Sequence, residues 1–288
     1  MTKTSAPSYG RRSSLSAGVG PATRGVLLAL VVLFCLGPVL WQVITSTKPD
    51  ADLLRLPPIL PDHPTSVHYR LVLGHSQLDR NLLNSALVAA SATVLAVGLG
   101  ALCAFAVARL PIKGKPVVLG LALSISMFPP IAAISPLYLL VRELGLRDTL
   151  TALILTHTAF ALPLAVWILA GVFRQIPVEL YWAARVDGCG PMRALVSVIL
   201  PPALPGVTVA GLLVFIYSWN EFMFALTLTA SDASRTAPVA IALFPGLHET
   251  PWGEMAAATI LVTAPIVLLA LIFQRQVVAG LTAGSVKG

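Results

Sequence analysis

Six long apolar stretches set the main constraint on how this chain of 288 residues can fold. A helix needs about 20 apolar residues to cross the hydrocarbon core of a bilayer, and each stretch is close to that length or longer. Every backbone polar group in lipid must be satisfied within its own segment, so stretches of this kind predict helices. We therefore predict an all-α integral membrane protein with six transmembrane helices, at Val26–Ile44, Leu83–Ala108, Val117–Val141, Leu150–Phe173, Ala203–Leu228 and Met255–Phe273.

The charge content of the chain supports the same class. Only 11% of the residues are charged, whereas a soluble domain of this size carries roughly a quarter. A surface that faces lipid removes the need for those charges. The net charge of +7 is not gathered into a basic stripe, so we predict membrane lipid rather than nucleic acid as a partner.

The basic residues predict the orientation of the helices. The short loop Arg109–Lys115 holds three cations and no carboxylate, which is typical of a cytoplasmic loop. This places both termini in the cytoplasm, with the chain in the plasma membrane. The first apolar stretch is too long for a typical secretory signal, so we predict an uncleaved first helix. Residues 1–23 are predicted to be a disordered cytoplasmic tail, 24–275 the six-helix transmembrane domain and 276–288 a cytoplasmic C-terminal tail.

Small residues and prolines inside the apolar stretches predict how the helices pack. Ala96, Gly100, Ala104 and Ala108 recur every four residues and predict a seam where another helix approaches closely. Prolines within predicted helices suit either a bundle that opens and closes or static kinks. They are Pro38, Pro129, Pro130, Pro136, Pro163 and Pro265.

Motifs for covalent chemistry are absent from the sequence. No lysine lies in a phosphate-binding loop, and neither the five histidines nor the three cysteines have a spacing that predicts a metal site. We therefore predict a chain that is not an enzyme and that holds no metal and no cofactor.

The most informative segment is the polar loop 174–202, between the fourth and fifth apolar stretches. Pro177 and Glu179 at its start and Gly188 near its middle predict a short capped helix of about two and a half turns. A second short helix is predicted to run to Leu200 and to stop at Pro201-Pro202. From these signals alone, the loop could also be an amphipathic linker that lies on the lipid headgroups.

This loop resembles the "EAA" loop of ABC-importer permeases, whose pattern is roughly E-A-A-x-x-D-G-A followed by I-x-L-P. Ala183-Ala184, Asp187-Gly188 and Ile199-Leu200-Pro201 match it in register, whereas Trp182 replaces the glutamate and Cys189 the last alanine. Two further stretches resemble carbohydrate permeases, in particular the smaller membrane subunit of maltose transporters. They are Ser218–Leu226 and the C-terminal residues from Phe273 onward.

The resemblance implies a type I ABC importer permease fold in the plasma membrane of a bacterium. It also implies a sugar, such as maltose or trehalose, as the cargo. It further implies three kinds of partner: a second permease subunit, two ATPase subunits that bind ATP and Mg²⁺, and an extracytoplasmic sugar-binding protein. The residues that would dock to the ATPase are Glu179, Trp182, Ala183, Ala184, Asp187 and Gly188. Because Trp182 cannot form the ionic contact of a glutamate, either Glu179 supplies the charge or docking relies on aromatic packing.

Polar residues within the apolar stretches are candidates for the translocation path, because a charge in a membrane must be paired or face water. Glu221 could line the sugar path, with Trp219 as an aromatic face beside Asn220, or it could form a structural pair at a subunit interface. His157 is a further path candidate, and the alternative is a histidine that is hydrogen-bonded to a neighbouring helix. Alternatives for the whole chain are an ABC permease for another solute, such as glycerol phosphate, and an ion-coupled secondary transporter.

Overall fold

A computed structural model describes residues 20–53, 59–75, 77–244 and 250–283 of the chain. Within these ranges the secondary structure is helical, with one π-helical turn and no strand. The helices are α1 Pro21–Thr47, α2 Asp50–Leu53, α3 Val67–His75, α4 Leu78–Arg109, α5 Lys115–Met127, α6 Pro130–Glu143, α7 Leu150–Gln175, α8 Val178–Val186, α9 Pro191–Ala194, α10 Leu200–Trp219, α11 Met223–Leu228, α12 Ala237–Ala242 and α13 Trp252–Ala283.

In the part of the chain that the structure describes, five continuous helical segments are long and apolar enough to cross a membrane, and a bent pair makes a sixth candidate. The prediction of an all-α membrane protein is confirmed. The third predicted helix is wrong as a single straight element, because α5 and α6 meet at an angle of 93°. Pro129-Pro130 causes the break: both residues lack an N–H, and each disfavours helical geometry in the residue before it. Phe128 and Pro129 accordingly have extended backbone, and α6 starts at Pro130.

The fifth predicted helix also differs from the structure, at both of its ends. Pro201-Pro202 does not stop the preceding helix, because the π turn Leu195–Ile199 joins α9 to α10 and helix continues through the proline pair. In the π turn a backbone N–H reaches five residues back, as that of Leu200 does to the carbonyl of Leu195. At the other end α10 stops at Trp219, so Glu221 lies in a break before α11 rather than within a helix.

The core of the bundle is the contact between α4 and α7, where the predicted small-residue seam is confirmed. Ala96, Gly100 and Ala104 are buried, and a Cβ atom at Gly100 would lie 2.9 Å from Cβ of Ala165 on α7. Helix α10 approaches α7 as closely at Gly206, where an added Cβ would lie 2.5 Å from Cγ2 of Val172. Small residues therefore let the backbones of three spans approach one another.

Hydrogen bonds at the helix ends define two opposite ends of the bundle. Arg109, the last residue of α4, donates hydrogen bonds to carbonyls at the end of α7, so α4 and α7 run in the same direction. At the start of α4, Asn84 and Ser85 bond to the backbone of residues 233–237, which follow α11. The end that carries Arg109 and α8 is called the loop end below, and the opposite end the cap end.

The predicted tails lie only partly within the described residues. Residues 1–19 and 284–288 lie outside them. Helix α1 begins at Pro21 and α13 continues to Ala283, so helix extends into both segments that we predict to be tails. The division of the chain into a permease domain and two tails stays a prediction.

Candidate coupling loop and translocation path

Helix α8 in the loop 174–202 ends where the sequence predicts. Gly188 has φ +81°, a left-handed conformation that glycine adopts without steric cost. The N–H of Cys189 donates to the carbonyl of Ala184 at 2.9 Å, and the N–H of Gly188 to that of Arg185 at 3.2 Å. These two bonds form a Schellman motif, which satisfies the last carbonyls of the helix and turns the chain sharply.

Two inward-facing side chains attach α8 to the bundle. Tyr181 and Ala184, one helical turn apart, are 3% and 5% exposed. The ring of Tyr181 packs edge-on against Phe105 of α4, with the ring centroids 5.8 Å apart. Helix α8 is therefore a packed part of the core rather than a strip that lies on the headgroups.

Arg109 attaches the same region from the end of α4. Its guanidinium is buried, and Nη2 donates to the carbonyls of both Phe173 and Ile176. These carbonyls end α7 directly before α8, where helices leave acceptors without a partner in the helix. In the sequence Arg109 indicates only which side of the membrane the loop faces. Its neighbours come from a distant part of the chain, so nothing in the sequence marked this role.

The outer face of α8 carries most of the residues predicted to dock. Glu179, Trp182, Ala183, Asp187 and Gly188 are exposed, and Ala184 alone of the six predicted docking residues is buried. Exposed apolar side chains extend this face. Trp182 is 53% exposed, Val186 87% and Met192 59%. We call the exposed set Glu179, Trp182, Ala183, Val186, Asp187 and Met192 the outer face of the loop.

A polar cluster lies inside the bundle where α10 ends. Nδ1 of His157 on α7 lies 2.8 Å from Oγ of Ser218, and Nε2 lies 3.1 Å from Oε2 of Glu221. The Glu221 carboxylate also accepts hydrogen bonds from the backbone N–H groups of Phe224 at 2.8 Å and Ala225 at 3.1 Å. A carboxylate at the start of a helix satisfies N–H groups that have no other partner and is stabilised by the helix dipole. Glu221 thus caps the start of α11 directly after the end of α10.

The four predicted path residues have different environments. His157 is 1% exposed, Trp219 is 3% exposed and stacks on Phe215 with centroids 5.6 Å apart, and the Glu221 side chain is 10% exposed. Asn220 is exposed, and its side-chain amide donates to the carbonyl of Ile216 at 2.9 Å. The contacts of His157 and Glu221 lie within this chain, as the structural alternative for His157 expects. Whether any of the four lines a sugar path stays a prediction.

A second satisfied carboxylate lies at the cap end. Asp148, between α6 and α7, has φ +61° and accepts hydrogen bonds from the N–H groups of Ala230 at 2.8 Å and Ser231 at 3.0 Å. The hydroxyl of Ser234 donates to the same oxygen. Partial burial raises the pKa of Asp148, but these hydrogen bonds outweigh it and hold the pKa well below its usual range. The contact joins two loops that are distant in sequence, and no motif marked it.

Comparison with known proteins identifies the family. Residues 74–282 match the family described as "binding-protein-dependent transport system inner membrane component". The chain is 46% identical to the trehalose transport system permease protein SugB of Mycobacterium tuberculosis, over 91% of this chain and 96% of that protein. It is 39% identical to the trehalose/maltose transport system permease protein MalG of Thermococcus litoralis, over 90% of this chain and 94% of that protein.

A solved structure supports the fold. A chain in the crystal structure of a bacterial ABC transporter involved in the import of the acidic polysaccharide alginate superimposes with a TM-score of 0.76 at 21% identity. The match covers 94% of this chain and 99% of that chain, so the likeness extends over nearly the whole fold. The expected type I importer fold is confirmed, and the chain belongs to the family of binding-protein-dependent transport system inner membrane components, the membrane-spanning permease subunits of ABC importers.

Proposed function

We propose that this chain is one membrane subunit of an ATP-driven importer for a di- or oligosaccharide, with trehalose or maltose as the first candidates. The observation that carries the proposal is the 46% identity along nearly the whole chain to a permease named for trehalose transport. A second permease, named for trehalose and maltose, is 39% identical over a similar length. The loop is common to ABC-importer permeases whatever their cargo, so likeness in the loop alone would not indicate the cargo. Likeness along nearly the whole chain supports a shared cargo class better.

In the proposed complex this chain performs no covalent chemistry. The sequence holds no phosphate-binding loop, so ATP and Mg²⁺ would be bound by two partner ATPase subunits. A second permease would supply the other half of the path, and an extracytoplasmic binding protein would deliver the sugar. Both termini and the loop end would then lie in the cytoplasm, and the cap end would face the binding protein.

The outer face of the loop is proposed to be the ATPase contact. Trp182 would be the anchor that fills a pocket on the ATPase. About half of this large aromatic side chain is exposed, so its burial against a partner would stabilise the complex. Glu179 and Asp187 flank it with carboxylates that suit basic residues on the ATPase. Docking would therefore combine aromatic packing with peripheral charge, instead of the single ionic contact of the usual glutamate.

The way α8 is attached suggests how movement of the ATPase would reach the membrane. Tyr181 and Ala184 pack α8 onto the bundle, and Arg109 joins the ends of α4 and α7 directly beside it. A displacement of α8 would then carry α4 and α7 with it, because close-packed helices move as a unit. Alternation of access would follow as a rigid-body movement of these spans against the partner permease.

The break after α10 is proposed to form part of the path. Asn220 is the exposed polar residue there and is the first candidate for a hydrogen bond with a sugar hydroxyl. The buried Glu221–His157 pair and the stacked Trp219 would hold Asn220 in place rather than contact the sugar. A broken helix at membrane depth is tolerated where it lines a cavity.

Uptake by the intact system tests the proposal. Deletion of the gene in its own host should abolish uptake of ¹⁴C-trehalose or ¹⁴C-maltose, and a plasmid copy should restore it. Labelled glycerol 3-phosphate serves as the control cargo and should enter at an unchanged rate. Uptake that stops when cellular ATP is depleted, but persists with a protonophore at constant ATP, supports an ATP-driven importer. Unchanged uptake of every sugar after deletion contradicts the proposed cargo.

A further inference from the structure

Three ionisable side chains that are far apart in sequence meet at the cap end, outside the loop and the path. Asp50 opens α2, His68 lies in α3 and Glu254 lies in the first turn of α13. Each offers one ligand atom, and these atoms lie within 4.8 Å of one another. We call these residues the cap-end triad. They connect the segment after the first span to the start of the last span.

One hydrogen bond of His68 fixes its tautomer. The side chain is fully buried, and Nε2 lies 2.8 Å from the backbone carbonyl of Lys48. A carbonyl only accepts, so Nε2 carries the hydrogen and Nδ1 of the neutral ring presents a lone pair. The ring cannot turn away, because it packs so closely against α13 that a Cβ atom at Gly253 would lie 2.3 Å from its Cε1.

The lone pair of His68 points toward a second acceptor. Oε2 of Glu254 lies 3.7 Å from Nδ1, and both atoms are buried with no hydrogen-bond partner among the described residues. Two acceptors that face each other in a buried place repel, and each loses its solvation without compensation. A positive ion between them would remove both costs.

The separation favours a metal ion over a proton. A hydrogen bond from Nδ1–H to a carboxylate would need about 2.7–3.2 Å between the heavy atoms. Two ligands bound to zinc at 2.0–2.2 Å in tetrahedral geometry lie about 3.3–3.6 Å apart, which is close to the observed 3.7 Å. The bond from Nε2 to a carbonyl is also the usual outer contact of a histidine that binds metal, since it sets the tautomer and orients the ring.

We propose that the cap-end triad binds a divalent transition-metal ion of the zinc class, with Nδ1 of His68 and Glu254 as the inner ligands. Asp50 would complete the protein ligands. Its Oδ1 lies 3.8 Å from Nε2 at the other edge of the ring, and its side chain is 72% exposed, so it can rotate toward the ion at little cost. One imidazole and two carboxylates suit zinc, and water would take the fourth position. The ion would join the segment after α1, α3 and the start of α13.

Zinc-dependent thermal stability tests the proposal on the full chain. The protein would be purified in detergent without a polyhistidine tag, treated with EDTA and unfolded with and without ZnCl₂. At a Zn²⁺ concentration about a hundredfold above Kd, the Tm should rise by roughly 5–10 °C. Mg²⁺ should produce no comparable shift, because it prefers oxygen ligands. A wild-type Tm that does not respond to Zn²⁺ overturns the proposal.

Glu254→Gln gives the sharpest contrast. The amide can donate a hydrogen bond to Nδ1 of His68, so the metal-free variant should unfold at or above the wild-type Tm. The same change removes an anionic ligand, so the Zn²⁺-dependent shift should disappear. His63→Gln is the matched control, because His63 is exposed in the same region and is not part of the triad. The Zn²⁺-dependent rise in Tm of His63→Gln should equal that of the wild type. Loss of this rise in His63→Gln, with the rise kept in Glu254→Gln, overturns the proposal.

A binding measurement keeps the proposal testable if Glu254→Gln fails to fold. Asp50 is exposed, so Asp50→Asn should fold normally. Competition with a chromophoric chelator should show at least a tenfold weaker zinc affinity for this variant than for the wild type. An affinity that Asp50→Asn leaves unchanged overturns the assignment of the triad.

Discussion

The outer face of the loop and the polar cluster around Glu221 use the same residue types in opposite ways. On α8, an aromatic side chain and two carboxylates point away from the bundle and have exposed surfaces. At the end of α10, Trp219 is buried, and Glu221 is satisfied by His157 and two backbone N–H groups. Exposed side chains are candidates for contact with a partner subunit, whereas buried side chains that are hydrogen-bonded within the chain stabilise its own fold.

The largest expected effect comes from removing the buried acceptor. Glu221→Ala should lower the free energy of unfolding by about 3 kcal/mol or more, because His157 and two N–H groups of α11 lose their partner. Thermal or detergent unfolding of the purified chain measures this. Glu221→Gln, which keeps an acceptor oxygen and the shape, should cost about half as much. A normally stable Glu221→Ala protein that fails to transport sugar would assign Glu221 to substrate contact instead.

Adjacent aromatic residues on α8 provide the next contrast. Tyr181→Ala removes a buried ring that packs on Phe105 and should destabilise the chain by about 3 kcal/mol. Trp182→Ala removes a half-exposed ring and should change stability by about 0.5 kcal/mol or less. The Trp182 variant should instead weaken association with the ATPase at least tenfold, as co-purification or titration would show. Equal loss of stability in the two variants would contradict the assignment of Tyr181 to a buried face of α8 and of Trp182 to an exposed face.

Substitution of Gly188 tests the backbone geometry at the end of α8. Among the described residues, no atom lies within 4 Å of an added Cβ at Gly188. Within this chain, Gly188→Val should therefore act only through its φ of +81°, at about 1–2 kcal/mol. The end of α8 should shift, and sugar uptake should fall several-fold at normal membrane levels of protein. Gly190→Val is the matched control, since Gly190 has equally open space but φ −65°. Normal sugar-stimulated ATPase activity in the Gly188 variant would contradict the coupling role.

The smallest effect is expected at Asp148, which resembles Glu221 in its partners but lies outside the spans. Its lowered pKa in the folded state means that its stabilising contribution is present above the ordinary aspartate pKa of about 3.9. The contribution should be lost as the pH falls through the lower folded pKa. Unfolding of the wild type and Asp148→Asn between pH 7 and pH 3 measures this, and the variant should lose less stability on acidification. Identical pH profiles would show that the hydrogen bonds at Asp148 contribute nothing.

Local features were predictable from the sequence. The end of α8 follows from Gly188, because few other residues adopt a left-handed conformation, and the seam on α4 follows from small residues at helical spacing. The break at Pro129-Pro130 was also visible in the sequence, but the length of the apolar stretch outweighed it in our prediction of a single helix. Each of these features depends only on residues that are close together in the sequence.

Features that depend on distant parts of the chain were not predictable in the same way. Glu221 is held by His157 of a distant helix, and Arg109 donates to carbonyls at the end of α7. The cap-end triad brings Glu254 to Asp50 and His68, which are far from it in the sequence. No metal-ligating residue stands near His68 at a spacing that would predict a metal site. Such arrangements follow from packing, which spacing along one chain does not encode.

The π turn at Leu195–Ile199 sets the helical phase between the loop and the fifth span. A π turn inserts one residue into an α-helix, and one residue corresponds to about 100° of rotation about the axis. The loop and α10 are therefore joined with a fixed angular offset that deletion of a single residue would cancel. Such a deletion would leave both helices intact but turn the side chains of one of them to face different neighbours. The faces of α9 and α10 are thus matched by one added residue, and a change in length at this point would be far more disruptive than a change in residue type.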